Sequence, residues 1–287
     1  MSLGDVTLDR GPGRLFQADG RALVGLPVKE LRALFREHGF LAFRGWNASI
    51  SDFYQFGKRF MDRLRTTPEA ERPQHPIHRG MQTVSQGDHA MNFHADFGQL
   101  PDRPEAIAFY CQVAPESEGE TFVCDGIQLW ESLDEATRRL FEQRRITQCS
   151  SVDWRLWTSS AGTTDFDVVR AFMEEREGVQ VSPGPLGALQ VRWTTWAAAR
   201  PKFSDRTALA SNVFPGVYNG LTTTWEDGTP LDAALVQHLE TRARALSTVI
   251  RWAAGDFAVV DNTRYVHARA AQDARRKLYT LQGFMRG

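Results

Sequence analysis

The stretch Glu-Ala-Ile-Ala-Phe-Tyr-Cys-Gln-Val at positions 105–113 indicates the class of fold. Its apolar side chains alternate, which is the period-two pattern of a β-strand with one face against a core. The face that this alternation predicts to be buried carries Ile107, Phe109, Cys111 and Val113. We therefore expect a strand here that contributes one whole face to the interior.

Further strand and helix patterns lie on both sides of this segment. Short apolar runs predict more strands, at 40–43, 120–124, 257–261 and 278–284. Apolar residues at helical spacing predict helices over 27–38, 51–64, 132–141 and 231–249. Gly39 is a typical stop for the first of these helices. Ser132 and Glu135 form a capping-box pattern at the start of the third.

A long segment at about 150–230 separates the predicted strands, and its pattern is irregular and rich in tryptophan. Strands on both sides of such an insertion, with helices outside them, indicate a mainly β protein with flanking helices. The arrangement is typical of a double-stranded β-helix, the cupin-like jelly roll. Because no linker is evident, we expect residues 1–287 to form a single domain in which the insertion acts as a lid.

Composition excludes several classes of partner. The chain has 287 residues with a formal net charge of −1, so no basic surface for nucleic acid or a membrane is indicated. The first residues lack the apolar stretch of a signal peptide, and no run has the length of a transmembrane helix. The cysteines lack metal-ligand or redox spacing. We therefore expect a cytoplasmic protein that acts on a small molecule.

The motif Asn92-Phe93-His94-Ala95-Asp96 places an imidazole and a carboxylate two residues apart. In extended chain such residues face the same side, so both can bind one metal ion. A second histidine from elsewhere would complete a two-histidine, one-carboxylate triad, which holds non-haem Fe(II) and leaves coordination positions open. His267, shortly after the predicted strand 257–261, is the candidate. A hydrogen-bonded surface histidine is the competing interpretation.

Other residues suit an acidic ligand. The pair Arg275-Arg276 enters the last predicted strand, and a guanidinium binds a carboxylate through two parallel hydrogen bonds. Only one member of the pair can face inward, because strand neighbours face opposite ways. The hydroxyl of Thr121 can support the same carboxylate. Polar side chains near the metal motif that can reach substrate or cosubstrate are Asn92, Gln82 and Ser85.

In their order and spacing these motifs resemble the taurine dioxygenase-like (TauD/TfdA) family of Fe(II)/2-oxoglutarate-dependent oxygenases, from about residue 27 to the C-terminus. The matching pieces are His-Gly-Phe-Leu-Ala-Phe-Arg-Gly at 38–45, Asn-Phe-His-Ala-Asp at 92–96, Phe-Tyr-Cys at 109–111, Glu-Gly-Glu-Thr at 118–121, Trp-x-x-Gly-Asp-x-x-x-x-Asp-Asn at 252–262, His-Ala-Arg at 267–269 and the arginine pair at 275–276.

The resemblance implies a role for each matching residue. It makes His94, Asp96 and His267 the iron ligands. It makes Thr121 and one arginine of the pair, preferably Arg276, the anchors for the distal carboxylate of 2-oxoglutarate. The implied cofactors are Fe(II), 2-oxoglutarate and O2. The implied reaction oxidises a small organic substrate, such as an amino-acid derivative or natural-product intermediate, while 2-oxoglutarate is decarboxylated to succinate and CO2.

Departures from the family pattern narrow this expectation. Sulfonate-using members carry an arginine four residues beyond the 2-oxoglutarate arginine, where this chain has Thr280, so taurine is not the expected substrate. Halogenating members lack the carboxylate ligand, so Asp96 favours hydroxylation or desaturation over halogenation. Phe93 stands where the family often has tryptophan, which is a mild change.

Other functions stay open. One is a facial-triad oxygenase that does not use 2-oxoglutarate, against which Thr121 and the arginine pair argue. A second is a non-catalytic metal- or ligand-binding jelly roll, against which the complete triad argues. A third is a zinc hydrolase, since a His-Asp-His set also suits zinc. That chemistry needs a general base, and the sequence offers no specific candidate.

Overall fold

The computed structural model describes residues 5–7, 12–18, 23–66, 72–84, 88–215, 220–271 and 275–286. The strands are β1 (Asp5–Thr7), β2 (Arg14–Gln17), β3 (Phe40–Arg44), β4 (Arg63–Leu64), β5 (Met81–Thr83), β6 (Met91–His94), β7 (Ala106–Val113), β8 (Thr121–Asp125), β9 (Ile146–Val152), β10 (Val179–Pro183), β11 (Leu189–Thr195), β12 (Ala198–Ala199), β13 (Ala208–Leu209), β14 (Thr222–Trp225), β15 (Thr248–Ile250), β16 (Phe257–Asp261), β17 (Tyr265–Arg269) and β18 (Lys277–Phe284). The α-helices are α1 (Val28–His38), α2 (Ile50–Phe60), α3 (Gly126–Ser132), α4 (Glu135–Gln143), α5 (Trp154–Ala161), α6 (Phe166–Glu174) and α7 (Ala233–Leu246).

Two facing sheets form the centre of the fold. The larger has the strand order β1-β2-β3-β16-β7-β18-β4, with β5 also paired to β18. The smaller has the order β15-β8-β17-β6. Neighbouring strands run antiparallel except for the parallel pair β2 and β3. This is the architecture of a jelly roll, so the predicted fold class is confirmed.

Apolar side chains from both sheets meet between them in one buried cluster. Its members include Phe40, Ile107, Phe109, Cys111, Val123, Val260, Tyr265 and Leu278. The buried face predicted for residues 105–113 is thus correct for Ile107, Phe109 and Cys111. Val113 is exposed, because β7 carries an extra residue opposite the step from Lys277 to Leu278 and the register shifts there.

Helices cover the outer faces of both sheets. On the larger sheet, α1 and α2 bury an aromatic-rich cluster that includes Phe35 and Phe56. On the smaller sheet, α3 and α7 pack through Leu129 and Leu239. The first helix ends as predicted at Gly39, whose φ of 73° is the left-handed conformation that favours glycine. None of the helices in the described ranges has the length and apolarity to cross a membrane.

Two further local predictions are wrong. The predicted capping box at Ser132 does not open a helix, because Ser132 ends α3 and Asp134 caps α4 through the backbone N–H of Thr137. The segment at 150–230 is not irregular. It contributes α5, α6 and most of a third sheet, of order β10-β11-β9-β14. Its buried face is formed by alternating residues of β10 and β11, namely Val179, Val181, Leu189 and Val191. This period-two pattern was missed in a segment that stands out for its many tryptophans.

Candidate metal centre

Three buried side chains meet at the edge of the smaller sheet. His94 is the last residue of β6, and Asp96 follows it in a turn. His267 lies in β17 directly opposite His94 in the strand register. One ligand atom from each of the three lies within 4.8 Å of the others. The structure therefore brings together the three residues that the sequence motifs selected.

The protonation pattern of this cluster suits a cation. Nδ1 of His94 donates to the carbonyl oxygen of Asn92 at 2.9 Å, which leaves Nε2 with a lone pair when the ring is neutral. That Nε2 lies 3.4 Å from Oδ1 of Asp96, and Nε2 of His267 lies 3.8 Å from the same oxygen. Burial, with the neighbouring His94, lowers the pKa of His267 to about 3, so its ring is neutral near pH 7. Two imidazoles and one carboxylate aimed at one point fit Fe(II).

Asp96 is held by two residues that the sequence analysis did not select. Arg72 donates to both carboxylate oxygens, from Nη1 to Oδ2 at 3.0 Å and from Nη2 to Oδ1 at 3.2 Å. Gln282 donates from Nε2 to Oδ2 at 2.6 Å. Burial raises the pKa of Asp96, but the Arg72 guanidinium, with His94 and His267, outweighs burial and holds it well below its usual value.

A signal for one of these residues was present in the sequence. Gln282 is a polar residue on the inward face of the alternating strand β18, in register with Ile107 of the interior cluster. Such a residue on an otherwise apolar face predicts a polar partner inside. Arg72 had no comparable signal, because it lies in the Pro- and His-containing segment before β5, and a loop alone does not fix what its side chain contacts.

Two asparagines fix the backbone of the metal turn. Asn212, which belongs to the insertion, accepts a hydrogen bond from Ala95 N at 2.9 Å. Asn262 accepts from Asp96 N at 2.9 Å and donates to Asp96 O at 2.8 Å. The insertion is therefore packed against the metal turn. Asn262 was part of the quoted motif, but its role was not predicted.

A second polar group lies along the same cavity. Oγ1 of Thr121 accepts hydrogen bonds from Nε1 of Trp252 at 2.9 Å and from Nη2 of Arg276 at 3.3 Å. Thr121 and Arg276 line a cavity together with His94, His267, Phe109 and Arg269. Arg275 is exposed and pairs with Glu116. Of the two arginines, Arg276 is the one that the structure brings to Thr121.

The structure does not bring Asn92 to this cavity. The ladder between β6 and β17 has a bulge, so that Arg269 pairs with Met91 and the alternation of β6 is shifted. Met91 consequently lines the cavity, while the Asn92 amide donates to Glu240 of α7 at 3.3 Å. Gln82 is buried and pairs with Thr280 across β5 and β18. Ser85 lies outside the described residues.

Two facing sheets that surround a buried two-histidine, one-carboxylate set define a jelly-roll metal-binding protein. The sequence model described as "Taurine catabolism dioxygenase TauD, TfdA family" matches residues 9–282, so the chain belongs to this family. The resemblance inferred from the motifs is confirmed, and the match begins earlier than residue 27. Membership supports the predicted use of Fe(II), 2-oxoglutarate and O2.

Individual relatives are distant. A clavaminate synthase-like protein of Arabidopsis thaliana is 23% identical over 281 residues, which cover 86% of this chain and 82% of the relative. A taurine dioxygenase from Burkholderia xenovorans superposes with a TM-score of 0.68 at 18% identity, over 100% of this chain and 90% of that one. AAD-2, solved with Mn(II) and N-oxalylglycine, has a TM-score of 0.66 at 15% identity, over 100% and 99% of the chains. At these identities the structures establish the fold.

Proposed function

We propose that this protein is an Fe(II)- and 2-oxoglutarate-dependent dioxygenase that oxidises, most simply by hydroxylation, a small organic substrate. His94, Asp96 and His267 hold the iron, and Arg276 with Thr121 holds the distal carboxylate of 2-oxoglutarate. When bound, iron and 2-oxoglutarate supply the activation of O2, with decarboxylation of the cosubstrate to succinate and CO2. The protein binds and orients the reactants and limits access of water.

The observation that carries the proposal is the hydrogen bonding of Thr121. A hydroxyl has one proton to donate and two lone pairs that accept. Trp252 and Arg276 both donate to Oγ1, so the lone pairs are used and the proton is left to donate. A hydroxyl donor beside a guanidinium is complementary to a carboxylate. This end of the cavity therefore favours an acidic ligand over a neutral one.

The charge and shape of the cavity favour a substrate that carries a carboxylate. Arg269 is buried, donates to the carbonyl oxygen of His89 and lines the same cavity, so the wall carries its guanidinium charge in addition to that of Arg276. A substrate with a carboxylate, such as an amino-acid derivative, complements it. Val84, Met91 and Phe109 provide apolar wall for the rest of the molecule.

In this proposal the insertion acts as a lid that packs against the segment around the metal turn. Arg103, close after the metal turn, donates to the carbonyl of Ala210 at 2.7 Å, and Asn212 accepts from Ala95. These contacts support one domain over residues 1–287, with the insertion as its lid. Closure of such a lid over bound substrate would exclude water from the reaction.

The test is an anaerobic titration of the Fe(II)-loaded protein with 2-oxoglutarate, followed by visible absorption. Chelation of iron by the keto acid produces a metal-to-ligand charge-transfer band, and we expect this band in the wild type and in Arg275→Ala but not in Asp96→Ala. Absence of the band from iron-loaded wild type would overturn the proposal. Iron binding without the band would favour an oxygenase that does not use 2-oxoglutarate, or a non-catalytic binding protein.

A further inference from the structure

We propose that Gln282 and Arg72 act in opposite directions on metal binding through the carboxylate of Asp96. Gln282 is a positioning residue that turns Oδ1 toward the metal. Arg72 is a counter-ion that stabilises the carboxylate and competes with the metal for it. The inference rests on the proposed function only in taking Asp96 as a metal ligand.

The two oxygens of Asp96 have different surroundings. Oδ1 faces the imidazoles, with Nε2 of His94 at 3.4 Å and Nε2 of His267 at 3.8 Å. Oδ2 accepts from Gln282 at 2.6 Å and from Arg72 at 3.0 Å. A carboxylate is symmetric about its torsion axis, so nothing in aspartate itself selects one oxygen for the metal. The neighbours make that selection.

Gln282 is well placed to hold Oδ2. Its side chain is 3% exposed, and its backbone lies in the ladder between β18 and β7, in register with Ile107 next to the final pair. Its amide contacts Oδ2, which is the oxygen turned away from the imidazoles. Because the amide is neutral, it adds no repulsion toward a cation. Loss of this hydrogen bond would leave Arg72, which contacts both oxygens, to orient the carboxylate, and would weaken metal binding.

Arg72 differs from Gln282 in both contact and charge. Its Nη2 donates to Oδ1 at 3.2 Å, so a metal ion at that oxygen shares it with a guanidinium. Arg72 is 6% exposed, and two positive charges in a buried site repel each other strongly. The same charge favours the ionised carboxylate when no metal is bound. Replacement of Arg72 by a neutral side chain should therefore lower the stability of the metal-free protein and tighten metal binding.

The test is calorimetric titration of the full-length, metal-free protein with Mn(II), with thermal unfolding measured for each variant. We expect Gln282→Met to bind Mn(II) about tenfold more weakly, which is the lower end of the effect of residues that orient metal ligands. We expect Arg72→Met to bind about tenfold more tightly, in keeping with the loss of one close positive charge. Arg72→Lys keeps the charge and should return the affinity toward that of the wild type.

Arg264 offers a matched control, because it makes a second buried bidentate pair, with Asp125, from Nε at 2.9 Å and from Nη2 at 2.8 Å. Arg264→Met should lower the melting temperature without changing the Mn(II) affinity. If Gln282→Met and Arg72→Met shift the affinity in the same direction, or if either leaves it unchanged, the inference is wrong. Should Arg72→Met fail to fold, Arg72→Gln is measured against Arg72→Lys by the same criterion.

The outcome is separable from that of the proposed function. If iron-loaded wild type gives the charge-transfer band with 2-oxoglutarate while the variants bind Mn(II) like the wild type, only this inference fails. If wild type gives no band, the proposed function fails, whereas the opposite shifts in Mn(II) affinity still test the roles of Gln282 and Arg72.

Discussion

The side chain of Asn262 binds both backbone groups of Asp96, accepting from its N–H at 2.9 Å and donating to its carbonyl at 2.8 Å. The same amide nitrogen donates to the carbonyl of Pro104 at 2.8 Å. Asn262 and Asp96 are 166 positions apart in the chain. This contact joins the turn after β6 to the turn between β16 and β17, and so joins the predicted metal ligands on the two strands.

Asn262→Ala should weaken both folding and metal binding. It leaves one buried N–H and two buried carbonyls without their partner, each at a cost of about 1–3 kcal/mol, so we expect a loss of roughly 3 kcal/mol in the free energy of unfolding measured with urea. We expect Mn(II) affinity to fall with it. Thr263→Ala, which removes a hydrogen bond to Asp261 in the same turn, should lower stability alone. An unchanged Mn(II) affinity in Asn262→Ala would show that the turn keeps its shape without this contact.

Arg276→Ala should raise the concentration of 2-oxoglutarate required for turnover. A buried carboxylate that loses its guanidinium partner costs about 3–5 kcal/mol, so we expect the KM to rise by at least roughly 100-fold. The measurement is succinate formation against 2-oxoglutarate concentration. Arg275→Ala is the matched control, because Arg275 is exposed and pairs with Glu116. If only Arg275→Ala raises the KM, the assignment is wrong by one residue.

Trp252→Phe should weaken the binding of 2-oxoglutarate without affecting the metal. It removes the indole N–H that occupies a lone pair of Thr121, and a single neutral hydrogen bond contributes about 1 kcal/mol. We therefore expect a rise of roughly fivefold in the dissociation constant of 2-oxoglutarate, read from the charge-transfer band. Trp46→Phe removes a comparable buried indole hydrogen bond, to Phe16 O, and should leave that constant unchanged.

Asp261 should make stability depend on pH. Burial raises its pKa to about 6, although hydrogen bonds from Thr263 and the charge of Arg103 act against burial. A carboxyl with a raised folded-state pKa binds more protons in the native state, so its contribution to stability is present at low pH and is lost as pH rises through about 6.

The comparison with Asp261→Asn measures this contribution, because asparagine keeps the acceptor oxygen for Thr263 and does not titrate. Between about pH 5 and 8 we expect the free energy of unfolding of the wild type to fall relative to the variant by roughly 1 kcal/mol. A constant difference across this range would mean that Asp261 keeps one charge state throughout.

Patterns in the sequence were sufficient to predict the jelly-roll core, and they selected the three residues that the structure brings together as a candidate metal centre. Alternation placed Ile107 and Phe109 on the interior face, because a strand with one buried face leaves a period-two signal wherever its neighbours are. His94 and Asp96 were selected by their spacing. His267, Thr121 and Arg276 were selected because order along the chain is preserved in a family even when identity is low.

Tertiary structure decided what no local pattern encodes. A bulge in β6, visible only against its partner β17, turned Met91 inward and Asn92 toward α7. The structure places Arg276 against Thr121 and pairs the exposed Arg275 with Glu116. Arg72 reached Asp96 from a segment with no periodicity. Spacing in the sequence specifies which side chains share a face, whereas burial, register and long-range hydrogen bonds specify which atoms meet, and these arise only when distant strands pair.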